Sequence, residues 1–131
     1  MSSRIAGYLL VGVSLTACVS EPAFNPPPEA YAASQAMIDG SASPQTIAAV
    51  DSTFFGSNLP LLGRKYIARE FDGNGQPVAI LSHSFWSDHF NSRPDVIGSE
   101  LEVDGILRLV VGVMPRGVDV PQGVALWIPG K

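Results

Sequence analysis

The run "ELEVDGILRLVVGVM", residues 100–114, constrains the fold more than any other stretch of this 131-residue chain. Leu101 and Val103 alternate with Glu100, Glu102 and Asp104, and a period of two is that of a strand with one face in solvent. Asp104-Gly105 then reads as a two-residue hairpin turn, since both residue types tolerate the positive φ such turns require. "ILRLVVGVM" is the returning strand, and Gly112 within it marks a bulge or a close backbone approach. Other segments fit the same plan. "QTIAAVD" and "VALWIP" read as short strands, and "PVAILS" as a buried one, a continuous apolar run bounded by turn residues. Asp51 offers an N-cap to a turn or two of helix over "STFFGSN", presenting Phe54 and Phe55. "LPLLGRKYI" supplies apolar residues, a glycine turn and a further strand, and "EFDGNGQ" a turn-rich loop. Ser82 or Ser84 caps a helix over "SFWSDHFN". The expected fold class is α+β, with mostly antiparallel strands and one or two short helices. Its core is expected to hold Phe54, Phe55, Trp86, Phe90, Ile97, Leu101, Val103, Val111, Val113 and Trp127.

Composition agrees and narrows the function. The 13 Gly and 11 Pro favour short strands and frequent turns over a helical bundle, and 46% hydrophobic residues suffice for one packed domain. The net charge is −4 with the acidic residues scattered and no basic stripe, which argues against a nucleic-acid partner because phosphate contacts need clustered Lys and Arg. A single cysteine excludes an internal disulfide framework and any multi-cysteine zinc site.

The most chemically suggestive stretch is "ILSHSFWSDHF", residues 80–90, which carries both histidines. On a helix His83 and His89 are six positions, about 600°, apart and face away from each other, whereas zinc pairs sit at i, i+4. Phe85/His89 and Trp86/Phe90 are the i, i+4 pairs, the spacing of a core-facing aromatic stripe. "LSHS" lacks the elbow that would expose a nucleophilic serine, and "DGNG" has too few acids for a calcium loop. Glu100, Glu102 and Asp104 on one strand face read as solvated charge. Arg64 after Gly63 reads as a loop brace, a guanidinium serving several carbonyls or carboxylates. No catalytic, metal-ligating or cofactor-binding residue is expected, no small-molecule substrate is evident, and the chain is not read as an enzyme.

The start of the chain is organised differently. "MSSR" carries one positive charge, "IAGYLLVGVSLTA" is an uncharged run shorter than the ~20 residues of a membrane span, and "LTAC" follows. "LTAC" resembles the lipobox of bacterial lipoproteins, which implies cleavage before Cys18 and lipidation of its sulfur and amino group. Residues 1–17 are therefore expected to be a signal peptide, and the membrane to be reached through the lipid anchor. Val19, where Asp would favour retention in the inner membrane, leans the location toward the outer membrane of a Gram-negative cell. Residues 18–36 read as a Pro-rich tether, with "EAYAASQAM" adding a short helix, and residues 37–131 as the domain.

The ordered set of motifs resembles the MacB-like periplasmic core domain of bacterial ABC-type permeases. "VDSTFFGSNLPLLGRKY", "PVAILSHSFWSDHFNSRPDVIGSELEVDGILRLVVGVMP" and "VALWIP" carry the likeness. The matching positions include Phe54, Phe55, Gly63, Arg64, Trp86, Gly98, Gly105, Gly112, Met114, Pro115 and Trp127. The resemblance implies a non-catalytic extracytoplasmic module that contacts permease or other envelope proteins. It also implies that the domain is truncated, because the family pattern continues with an "R-L-K-P-G" segment, and permeases carry membrane helices on both sides. Two readings follow: a lipid-anchored accessory or partner-binding component of an export or envelope system, or a fragment of a degraded permease gene.

Overall fold

The structure, a computed structural model, describes residues 24–39 and 43–130. The expected signal peptide, Cys18 and the first part of the tether lie outside the described residues. The strands are β1 (Tyr31–Ala36), β2 (Gln45–Val50), β3 (Leu62–Gly63), β4 (Val78–Leu81), β5 (Glu100–Val103), β6 (Ile106–Val113) and β7 (Leu126–Pro129). The α-helices are α1 (Ala68–Phe71), one turn long, and α2 (His83–Phe90).

These strands form one sheet in the order β1-β2-β7-β4-β6-β3, with β5 also pairing with β6. Asp104 (φ 52°) and Gly105 (φ 82°) make the tight β5–β6 turn, as the dipeptide requires. Leu101 and Val103 point into the core while Glu100 and Glu102 point out. The two ends of the sheet are drawn together. Ile38 forms an antiparallel bridge with Val103. The Asp39 N–H donates to the Glu102 carbonyl, and the Asp104 N–H to the Met37 carbonyl, both at 2.8 Å. The Asp104 and Asp39 carboxylates accept from the Met37 and Glu102 amides at 2.8 and 3.0 Å, so residues 37–39 cover the outer edge of β5.

Both faces of the sheet are covered over its central strands, which is why β4 is apolar at every position and fully buried. One face packs Ile47, Leu81, Val110 and Leu126 against Phe85 and Trp86 of α2. Ser82 ends β4 and starts α2: its hydroxyl accepts from the Phe85 N–H at 3.2 Å, capping the first turn. Asn91 closes the helix in the left-handed conformation. The other face packs Ala48, Val50, Val78, Ile80, Val111 and Trp127 under the loops that carry Phe54 and Phe55. Of the ten expected core residues, Phe90 and Ile97 are half-buried and the others buried.

The fold class is α+β as expected, and the sheet is mixed: β2–β7 and β4–β6 are parallel, the other four pairings among the described residues antiparallel. Three local expectations are corrected. "YAASQA" is strand β1, not helix, and brings residues 31–36 of the expected tether into the sheet; its pairing with β2 overrides the helix preference of Ala and Gln. After Asp51 there is a chain of turns rather than a helix, because the Asp51 carboxylate binds the Thr53 amide at 2.9 Å and hydroxyl at 2.7 Å. The loop after Tyr66 contains the one-turn helix α1.

Candidate functional site

Four of the motif residues, Phe54, Phe55, Met114 and Trp127, converge on the face opposite α2. Phe54 sits centrally, edge-on to Phe24, Tyr31 and Phe55 at ring distances of 5.3, 5.4 and 5.1 Å. Phe55 is edge-on to Trp127 at 5.3 Å. Met114 and Trp127 are fully buried in the same layer, and the Trp127 indole N–H donates to the Val120 carbonyl at 2.9 Å. The Tyr66 hydroxyl donates to the Trp127 carbonyl, tying the loop before α1 to β7. Burial pushes the Tyr66 phenol well above its ordinary range, so it stays a neutral donor.

Beside this layer the backbone is pinned. Gly63 pairs with Gly112 across β3 and β6. A Cβ on Gly63, which has φ +74°, would lie 2.0 Å from the Val111 carbonyl oxygen, and one on Gly112 would lie 2.6 Å from the Arg64 carbonyl oxygen. Only two glycines let the strands approach this closely. The β4–β6 register also shifts at this point, between Ala79 and Ile80.

Arg64 is the brace expected of it. Its two terminal nitrogens donate to the Glu70 carboxylate at 3.2 and 2.9 Å, one of them also to the Lys65 carbonyl at 3.0 Å. Glu70 in turn accepts from the Ile67 N–H at 2.9 Å and so fixes the start of α1. Burial pushes the Glu70 carboxyl up, but the Arg64 hydrogen bond, the Ile67 amide and the charges of Arg64 and Arg69 outweigh it and hold the group below its ordinary value. The Glu70 hydrogen bond correspondingly raises Arg64. Lys65 donates to the Gly56 carbonyl at 2.8 Å, tying the Phe54–Phe55 turn to the same loop.

The remaining motif positions lie elsewhere. Trp86 is on α2, its indole N–H donating to the Arg93 carbonyl at 2.8 Å. Gly98 follows a 3-10 turn and donates to the Val110 carbonyl at 2.8 Å. Gly105 is in the hairpin turn, and Pro115 follows Met114 at the end of β6. The histidines are not brought together: His83 is half-buried with its ring edge-on to Trp86, and exposed His89 stacks on Phe85 at 4.3 Å. Among the described residues, no three His, Cys, Asp or Glu side chains are grouped to hold a metal ion.

Two features escaped sequence reasoning. Glu70 as the partner of Arg64 depends on the α1 turn, and Glu six residues after an Arg carries no recognised signal. Arg108 on β6 donates to the Val78 carbonyl at 3.1 Å while its buried Nε has no partner among the described residues; burial pulls the guanidinium below its ordinary value. A groove of about 320 Å³ lined by His83, Ser84, Ser87, Asp88, Arg116 and Asp119 opens beside α2.

Fold and motif positions define a mixed α+β module in which Phe54, Phe55, Met114 and Trp127 hold the core and Arg64 pins a loop. The chain belongs to the family of MacB-like periplasmic core domains, which matches residues 17–130. Two solved structures share the fold at 16% identity. The extracellular domain of the noncanonic ABC-type transporter YknZ from Gram-positive bacteria superposes with a TM-score of 0.60, covering 76% of this chain and 52% of that one. The periplasmic region of MacB from Actinobacillus actinomycetemcomitans gives 0.57, covering 76% and 44%. The chain thus spans about half the length of each. No curated protein matches. Among the described residues no helix is long and apolar enough to cross a membrane.

Proposed function

We propose that this chain is a non-catalytic extracytoplasmic module, lipid-anchored at Cys18, serving as an accessory or partner-binding component of an export or envelope system. The observation that carries the reading is a periplasmic-domain family match at residues 17–130 that begins at the "LTAC" sequence. Cys18 lies six residues before Phe24, the first described residue, whose ring packs on Phe54. Val19 after the cysteine favours the outer membrane of a Gram-negative cell. A second reading is a remnant of an ABC permease gene without a function of its own.

The deciding experiment is the intact mass of the protein recovered from its own membranes, beside a Cys18→Ser control. Loss of residues 1–17 together with a gain of acyl chains, both abolished by the substitution, is the expected result. An unprocessed or undetectable product supports the remnant instead.

A further inference from the structure

The β5–β6 hairpin shows solvent a face that does not look like a solvated one. Cross-strand partners share a face, and here Glu102 lies opposite Leu107 and Glu100 opposite Leu109. Two leucines of a long strand thus stand beside two glutamates. Leu107 is 59% exposed. Leu109 is half-buried and also lines an open, mainly apolar groove of about 410 Å³ shared with Ile97, Val111 and the glycines Gly63 and Gly98. The leucine pair and the groove are therefore one continuous surface. At the other end of the groove Arg64 is already met by Glu70. Neither Glu100 nor Glu102 has an ion pair among the described residues.

Both edges of β6 are taken. It is flanked by β4 on one side and by β3 and β5 on the other, and residues 37–39 cover the Glu102–Asp104 end of β5. A partner cannot add a strand to β6; it must lay side chains on the face. From this, and resting on the reading of the chain as a partner-binding module, we infer that the Leu107–Leu109 face and its groove dock an amphipathic helix of a partner protein. The helix presents leucine-sized side chains to the groove, flanked by Lys or Arg that pair with Glu100 and Glu102. The charge of the face selects this partner: two carboxylates beside an apolar strip repel an acidic helix and an anionic lipid surface alike.

The test uses the full chain carrying Cys18→Ser, so that docking is measured independently of lipidation. The probe is a fluorescein-labelled 18-residue Leu/Lys amphipathic peptide, with a Leu/Glu peptide of the same pattern as control, followed by anisotropy. Saturable binding of the Leu/Lys peptide alone is expected. Leu107→Asn and the double variant Glu100→Lys/Glu102→Lys should each weaken it at least tenfold, with unchanged circular dichroism. Glu29→Lys, on an exposed turn before β1, should leave it within twofold. In 0.5 M NaCl the glutamate effect should shrink while the Leu107 effect persists. No binding, equal binding of both peptides, an equal loss from Glu29→Lys, or no loss from Leu107→Asn each overturns the inference. So does Leu107-dependent flotation with phosphatidylglycerol vesicles without preference between the peptides, which assigns the face to a membrane. Because the substituted chain cannot be lipidated at residue 18, these outcomes leave the anchoring question to the mass measurement.

Discussion

The two faces of the sheet are closed by different means. On one, α2 covers the strands, and its start and stop are encoded locally, by the Ser82 cap and the left-handed Asn91. On the other, no long helix is present among the described residues; turns and a one-turn helix are held down by the interlocked rings of Phe54, Phe55, Tyr66 and Trp127. There the Tyr66–Trp127, Lys65–Gly56 and Arg64–Glu70 bonds replace the ladder a helix would provide. A helix stabilises itself as well as its contacts, whereas a loop lid depends on each anchor. Of the residues that carry the family likeness, the loop-covered face therefore packs Phe54, Phe55, Met114 and Trp127, and the helix face only Trp86.

This contrast can be broken by substitution. Trp127→Ala should have the largest effect, a loss of about 3–5 kcal/mol by chemical denaturation, because it removes the ring under Phe54 and Phe55 and orphans the Val120 carbonyl. Phe85→Ala, on the helix face, should cost less; an equal or larger loss would sink the distinction between the faces. Gly63→Ala comes next, at about 1–3 kcal/mol, since its Cβ meets a backbone oxygen at 2.0 Å that no rotamer change relieves. A melting temperature unchanged by that substitution would show that β3 can move away from β6. Ser82→Ala should cost about 1 kcal/mol, the usual worth of an N-cap, and its effect should stay on the α2 side in amide-exchange maps.

The smallest effect is electrostatic. Glu70 is held below its ordinary pKa in the folded chain, so its contribution is fully present above the unfolded value of about 4.3 and disappears as pH falls through the folded value. Arg64 is 45% exposed, and the pair is worth no more than about 1 kcal/mol. Glu70→Gln should lower stability slightly at pH 7 and flatten its decline below about pH 4.5. An unaltered acid limb would mean that other carboxylates govern it.

What was legible in the sequence was what local chemistry encodes. Asp104-Gly105 fixed the hairpin, alternation placed Leu101 and Val103 inward, and the Ser82/Ser84 pair announced α2, of which the structure takes Ser82 as the cap. The parallel β2–β7 and β4–β6 pairings join segments far apart in the chain, and no local pattern marks them. "YAASQA" misled because its residues prefer helix in isolation, and only β2 beside it makes it a strand. Arg64 was recognisable as a brace from its glycine neighbour; Glu70 was not, because the turn that delivers it has only four residues. The Leu107–Glu102 juxtaposition was hidden in the same way. The glutamates were visible as a solvated column, but the leucines beside them belong to the returning strand and enter only with the register.

The seam at Ile38–Val103 has a consequence for the order in which the molecule assembles. Its hydrogen bonds join residues 63 and 67 positions apart, and one side of the seam precedes nearly everything it encloses. Closing so long a loop costs chain entropy before any contact is made, whereas the β5–β6 hairpin forms between neighbours. The seam is therefore a later event in folding than the hairpin and an earlier one in unfolding. Protease or deuterium reaching the interior should enter there, between the segment after β1 and β5, while the central strands β4, β6 and β7 are still paired.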